Sequence, residues 1–240
     1  MPAPLIEFDQ VTKSFAGPLT RSRHQVFADV SFTVHEGEIV SLFGPSGCGK
    51  STLLRMFYQL TSWDSGRITY QGTDITSLPK SARREMHRAV QIVFQDPRNA
   101  FNPRWLIRRS MAEPLKLFKI LNANHQTLIG EKLALLGLED GLLDRRPHQL
   151  SGGQLQRLAL ARCLLVSPRC LLLDEASSML DLSVQARMME LVKKLRADDG
   201  ISVLLISHDR DLVQAMSDRI YSFHDGTLTV STTCTSDSSR

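Results

Sequence analysis

The stretch Gly44-Pro45-Ser46-Gly47-Cys48-Gly49-Lys50-Ser51 satisfies the pattern G-x-x-x-x-G-K-S/T at every fixed position, and few sequence features restrict a fold so tightly. The apolar run at residues 39–43 predicts a buried strand ahead of it, and residues 52–56 predict a helix start behind it. Strand, loop and helix are the context that the pattern requires. Its glycines let the backbone wrap closely around an anion, with successive N–H groups directed inward at the positive end of the following helix. A triphosphate fits such a loop. Lys50 would meet its β- and γ-phosphates as a point charge, and the Ser51 hydroxyl would take one coordination position on Mg2+. The candidate nucleotide-binding run extends from Gly44 to Thr52. An ordinary glycine-rich turn is the competing reading, and the lysine, the hydroxyl and the flanking strand together oppose it.

A chain of 240 residues with 42% hydrophobic and 22% charged content can bury a full core, as one large α/β domain or one carrying an inserted subdomain. No apolar run approaches the roughly 20 residues that a bilayer span needs. Residues 1–10 carry acids and no basic leader, so the expectation is a cytosolic protein without a secretory signal. The net charge of +4 is spread out, and the cluster Lys80, Arg83, Arg84, His87 and Arg88 has the spacing of a solvated helix face. With no recognised reader module beside it, no nucleic-acid partner is expected. Cys48, Cys163, Cys170 and Cys234 show no metal-ligand pairing and are expected as reduced thiols.

Residues 5–11 and 26–34 alternate apolar and polar positions as half-buried antiparallel strands do, with a loop expected over 16–25. A further hairpin strand is expected over 67–70, between Ser65-Gly66 and Gln71-Gly72. These strands would form a small antiparallel layer beside the nucleotide. Phe15 is the aromatic placed to stack on a base; a plain core phenylalanine is the equal alternative. A second apolar run, 89–94, ends at Gln95-Asp96-Pro97, and the carboxyl end of a buried strand is where open α/β sheets bind ligands. Residues 98–146 read as helical, with one apolar face at Leu115, Leu117, Phe118, Ile120 and Leu121 and another at Ile129, Leu133, Leu135, Leu136 and Leu138.

Leu150-Ser151-Gly152-Gly153-Gln154 opens an apolar helix over 155–166. It makes either a second anion-binding helix start or a well-capped structural helix. Residues 170–173 form a buried strand that ends in Asp174 and Glu175. The first can hold Mg2+ or its water and the second can orient an attacking water, since successive strand residues point to opposite sides. A helix over 184–196 and a strand over 203–206 lead to His208, a candidate γ-phosphate contact. Residues 227–240 are rich in Ser and Thr, and the last of them are expected to be disordered.

Taken in order, these motifs resemble the nucleotide-binding subunits of ATP-binding-cassette transporters over residues 5 to about 228. Val93-Phe94-Gln95-Asp96-Pro97 with Phe101-Asn102-Pro103-Arg104, then Arg146-Pro147-His148-Gln149 before the signature, are similar to the dipeptide, oligopeptide and nickel importer branch. The short C-terminus is similar to nickel or metal-chelate import ATP-binding proteins. The resemblance implies an α/β fold, a P-loop NTPase (RecA-like) core with a small antiparallel β subdomain and an inserted α-helical subdomain. The implied division is 1–96, 97–157 and 158–230, with 231–240 as a disordered tail.

The resemblance also implies an ATPase using ATP and Mg2+. Glu175, His208 and Gln95 would be its catalytic groups, and Ser51, Gln95 and Asp174 would hold the metal. Ser151, Gly152, Gly153 and Gln154 would be the signature that meets the ATP of a second cassette, in a pair closing head to tail, and Asp181 would belong to the D-loop. Implied partners are two permease subunits, a second ATP-binding subunit, identical or related, and an extracytoplasmic solute-binding protein. The implied location is peripheral, at the cytoplasmic face of the bacterial inner membrane, and the implied cargo is a nickel or metal chelate or a small peptide. Phe101 to Arg104 would form part of the socket for a permease helix, with packing of these aromatics inside the helical insertion as the alternative.

Two residues depart from the family pattern: Ala176 replaces a proline and Met179 a small D-loop residue. A soluble cassette ATPase of DNA repair or translation is the other reading, opposed by the lack of a fused cassette pair or long coiled-coil insertion. A kinase using the same loop is opposed by the signature.

Overall fold

A computed structural model describes residues 3–16, 23–175, 182–224 and 226–232. In chain order the strands and helices are β1 (Ile6–Ala16), β2 (Arg23–Val34), β3 (Ile39–Phe43), α1 (Lys50–Phe57), β4 (Ser65–Tyr70), β5 (Thr73–Asp74), α2 (Lys80–Ala89), β6 (Val90–Val93) and α3 (Ile107–Leu117). There follow α4 (His125–Leu135), α5 (Gly152–Leu164), β7 (Cys170–Asp174), α6 (Leu182–Asp199), β8 (Ser202–Ser207), α7 (Arg210–Met216), β9 (Arg219–His224) and β10 (Thr227–Thr232). They fall into two compact units, one of Met1–Arg83 with Gly200–Arg240 and one of Arg84–Asp199.

In the first unit, β2, β1, β4 and β5 form an antiparallel sheet in that order. Its alternating apolar residues turn to one side, where Phe8 and Phe32 stack at 4.4 Å between ring centroids. β3 runs parallel to both β8 and β9, and Ile39, Val40, Ser41 and Leu42 are all buried. A strand covered on both faces has no polar side to show, which is why this run does not alternate. Leu53, Leu54, Met56 and Phe57 give α1 its buried face.

In the second unit, β6 and β7 pair in parallel. The helical stretch forms around buried Ile107, Met111 and Leu115 of α3, Ile129 and Leu133 of α4, and Leu155, Leu158 and Ala159 of α5. Among the described residues, no helix is long and apolar enough to cross a membrane.

Several elements differ from expectation. The loop expected over 16–25 is shortened by the hairpin: Ser14 faces Gln25, Phe15 faces His24 and Ala16 faces Arg23, so β2 begins at Arg23. These facing residues are held by backbone pairing without an apolar face, and alternation could not reveal them. The apolar face expected across 115–121 is broken, because α3 ends at Leu117 and leaves Leu117 and Leu121 exposed. Lys119 adopts φ 60°, and the Ile120 N–H donates to Leu115 O at 2.9 Å. That is a helix stop of the kind a glycine usually provides. β10 reaches Thr232, pairing with Arg219, two residues into the stretch expected to be disordered.

Candidate functional site

The loop after β3 is shaped by what its glycines exclude. Gly47 has φ 83° and Gly49 φ 100°, in the left-handed region that side chains other than hydrogen disfavour. A Cβ on Gly49 would lie 2.4 Å from Val26 Cγ1, and one on Gly44 would lie 2.8 Å from Phe223 Cβ. The loop is therefore bare backbone pressed against β2 and β9, with Pro45, Ser46 and Gly47 exposed at its tip. Gly49 caps α1 without a side chain, which leaves the first-turn N–H groups directed out of the helix end. Lys50 is only 4% exposed. Its ammonium donates to Gly44 O at 2.8 Å and Pro45 O at 2.7 Å, and lies 3.6 Å from Cys48 Sγ. The charge is thus folded into the loop, and Ser51 and Thr52 follow it half-buried on α1.

His208 belongs to the same unit. Phe43 faces Ser207 across the parallel pair of β3 and β8, so Gly44 and His208 each stand one residue beyond the carboxyl ends of adjacent strands. His208 is exposed. Phe15 is 43% exposed, which removes the core reading. Lys13 Nζ lies 4.8 Å from its ring centroid, although Lys13 itself is buried. Sequence reasoning did not single out Lys13; its i, i+2 spacing from Phe15 on a strand was the signal that could have found it.

In the second unit the parallel register matches Val93 with Leu173. Gln95 and Glu175 each lie two residues further on, and Gln95 Nε2 donates to Glu175 Oε2 at 2.7 Å. A carboxylate only accepts, so the Gln95 amide turns its nitrogen to Glu175 and keeps its carbonyl oxygen for another partner. Asp174, at the end of β7, is buried, and Glu175 is half-buried. Glu175 lies beyond the strand, where alternation no longer sets its direction: its φ of 47° is left-handed and costs about 1 kcal/mol. Strain of this kind collects at functional positions.

Ser151 caps α5 in a reciprocal box. Its Oγ accepts from Gln154 N–H at 3.2 Å, and Gln154 Oε1 accepts from Ser151 N–H at 2.9 Å. Both side chains are used locally, while the N–H groups of Gly152 and Gly153 stand in the first turn, where no intrahelical carbonyl reaches. Structural capping is therefore compatible with an anion-binding end here. Asp181, with Ala176 and Met179, lies outside the described residues.

Phe101, expected in an exposed socket, is 5% exposed and packs inside its unit; Asn102, Pro103 and Arg104 are exposed. The Phe101 ring is thus a core group, as aromatic side chains readily are. Among the described residues, Cys48, Cys163 and Cys170 are free thiols.

With this geometry in view, the comparisons are consistent. A family model described as ABC transporter matches residues 27–178. The chain is 42% identical to the nickel import ATP-binding protein NikE of Escherichia coli (strain K12) over 210 residues, covering 87% of this chain and 78% of that protein. The dimeric structure of MJ0796, a bacterial ABC transporter cassette, is similar with TM-score 0.85 and 29% identity over 95% of this chain and 98% of the other. A dimeric post-hydrolysis state of that cassette bound to ADP and Pi has TM-score 0.84 at 29% identity, with the same coverage of 95% and 98%. The motifs, the α/β architecture and a family match over more than half of its length agree: this chain belongs to the ABC transporter family.

Proposed function

We propose that the chain is the ATP-hydrolysing subunit of a membrane importer and energises uptake of nickel or a small metal chelate. The observation that carries this reading is the loop from Gly44 to Ser51, where glycines exclude side chains and the Lys50 ammonium is enclosed. The relative named as a nickel import ATP-binding protein supports the cargo, and nothing favours DNA repair or translation.

In this reading the loop N–H groups and the start of α1 hold the β- and γ-phosphates of ATP. Lys50 shifts from its loop carbonyls to the phosphate oxygens, and Phe15 stacks on the base. The oxygen donors Ser51 Oγ, the Asp174 carboxylate and the free Gln95 carbonyl suit a hard cation, so these three would hold Mg2+. Bound there, the ion would supply charge neutralisation on the phosphates. Glu175 orients the attacking water, with its carboxylate steadied by Gln95, and His208 contacts the γ-phosphate. The signature Ser151 to Gln154 meets the ATP of a second ATP-binding subunit, identical or related, and the D-loop with Asp181 lines the same junction. Two ATP molecules favour the closed pair because each γ-phosphate joins two helix ends; hydrolysis breaks that link.

The dimeric state of the similar cassette supports this pairing. Two permeases and an extracytoplasmic solute-binding protein would complete the importer, with this chain peripheral at the cytoplasmic face of the inner membrane. Residues 97–157 would form the helical subdomain, flanked by core segments 1–96 and 158–230.

The test is a pair of variants. Glu175→Gln should bind MgATP normally and lower kcat by about 10²-fold or more, as expected for loss of a general base. Lys50→Ala should weaken MgATP binding itself by about 10-fold or more, the scale of a charge-assisted contact. Near-normal hydrolysis by Glu175→Gln in the assembled complex would falsify the assignment of Glu175.

A further inference from the structure

α4 closes on a left-handed glycine. Gly137 has φ 62°, its N–H donates to Ala134 O at 3.0 Å, and the Leu138 N–H donates to Leu133 O at 2.9 Å. This stop brings the Leu136 and Gly137 carbonyls to the negative end of the helix. Both accept from one side chain: Arg157 Nη1 donates to Gly137 O at 3.2 Å and to Leu136 O at 3.3 Å. The Nε of the same guanidinium donates back to Gly153 O at 3.3 Å. Gly153 lies in the first turn of α5, so a single planar group joins the end of one helix to the start of the other.

The surroundings sharpen the effect. Arg157 lines a cavity of about 170 Å³ whose other walls include Leu135, Leu136, Val184, Met188, Leu191 and a second cation, Arg187. Against walls that are apolar except for Arg187, its charge is less screened than it would be in open water. A cation beside the positive end of α5 opposes that helix's own dipole, and the carbonyl end of α4 offsets the penalty. The result is a helix start with a fixed axis and a raised positive potential, at the residues whose N–H groups remain after capping.

We infer that Arg157 is a positioning residue for ATP hydrolysis. It holds the first turn of α5 so that the Gly152 and Gly153 N–H groups meet the γ-phosphate of ATP bound by the second ATP-binding subunit. The inference rests on the signature reading proposed above.

Arg157→Met keeps the apolar stem and removes the donors. In the assembled transporter it should lower kcat at least tenfold while KM for MgATP stays within twofold. MgATP affinity of the isolated chain, set by the Gly44 loop, should also stay within twofold. Arg157→Lys keeps the charge but spans only one helix at a time, and should give an intermediate kcat.

A kcat within twofold of the unmodified transporter overturns the inference, as does a fall in kcat matched by an equal loss of MgATP affinity in the isolated chain. Where Arg157→Met fails to assemble, Arg157→Lys decides: an unchanged kcat overturns the assignment and a reduced kcat at unchanged KM supports it. If the transporter hydrolyses no ATP with Arg157 intact, the ATPase reading falls, and this assignment falls with it before any variant is made.

Discussion

Three thiols in different settings separate chemistry from packing at single residues. Burial pushes the Cys163 thiol up to about 12, with nearby Arg162 only partly opposing it, and burial alone pushes Cys170 up to about 12. Cys163 also donates to Ile92 O at 3.5 Å. Cys48 is half-buried in the loop beside Lys50. A maleimide at about neutral pH should therefore modify Cys48 and spare Cys163 and Cys170, since the thiolate is the reacting form. MgATP should slow the Cys48 reaction by covering the loop. Peptide mapping reads both, and equal labelling of Cys48 with and without MgATP would count against nucleotide binding there. The loop residues were legible in the sequence because anion chemistry dictates their types and spacing. Phe15 was legible only as one of two equal readings, because strand alternation does not say which side faces solvent. The left-handed Glu175 was hidden for a related reason: backbone conformation at a non-glycine residue leaves no mark in composition.

Among the elements, β3 and β9 of the first unit are tied at their starts by a fork of charge. Arg219 pairs through Nε with Glu38 Oε1, and its Nη2 donates to Glu38 Oε2 at 2.8 Å. The same guanidinium reaches Thr33 O at 2.9 Å and Tyr221 Oη at 2.9 Å, and the His35 N–H donates to Glu38 Oε2 at 3.0 Å. Burial works against ionisation of Glu38, yet the Arg219 hydrogen bonds and the His35 N–H outweigh it, and its carboxyl titrates below the usual range. A carboxyl lowered in the folded state stabilises above its unfolded pKa and loses that contribution as pH falls through the folded value. Glu38→Gln should thus cost about 2 kcal/mol at neutral pH, the scale of charge-assisted bonds in a half-buried setting. The gap to the unmodified protein should narrow below about pH 4.3, the ordinary value for glutamate. Urea unfolding at neutral and acid pH tests this, and a gap that widens on acidification would sink it. At this scale the sequence predicted the buried strands best, since continuous apolar runs have few other interpretations. It missed where elements end: the stop at Lys119 uses a residue that usually continues a helix, and β10 consists largely of Ser and Thr held by pairing with β9.

For the molecule as a whole, the candidate site residues fall in both units: Lys50 and His208 in the first, and Gln95, Asp174, Glu175 and Ser151 to Gln154 in the second. Motif order placed the expected boundaries at 96, 157 and 230, whereas these two units meet at 83/84 and 199/200; the core and socket readings of Phe101 both stood in the sequence because an aromatic residue serves a core as readily as an interface. The segment after Gln95 shows what remains for such a surface. Phe101 is interior, and Arg162 Nη1 donates to the neighbouring Ala100 O at 2.7 Å, so the buried side of this turn is anchored. Its outer side carries Asn102, Pro103 and Arg104, stiffened by the Asn102 carbonyl oxygen Oδ1 accepting from Arg104 N–H at 3.0 Å. Beyond it the Arg109 guanidinium lies 3.9 Å from the Trp105 ring centroid, and Leu106 is exposed. A rigid turn with a polar rim and an adjacent apolar side chain has the composition of a small protein interface. Cysteines at Asn102 and Arg104 should therefore cross-link to a cytoplasmic permease loop in the assembled importer. Phe101→Ala should act differently from loss of a docking residue, lowering stability by about 3 kcal/mol through the cavity it leaves. Thermal unfolding of the isolated chain measures the second effect and cross-linking in membranes the first. Unchanged stability of Phe101→Ala, or no permease cross-link from either cysteine, would show that this turn is built for something else.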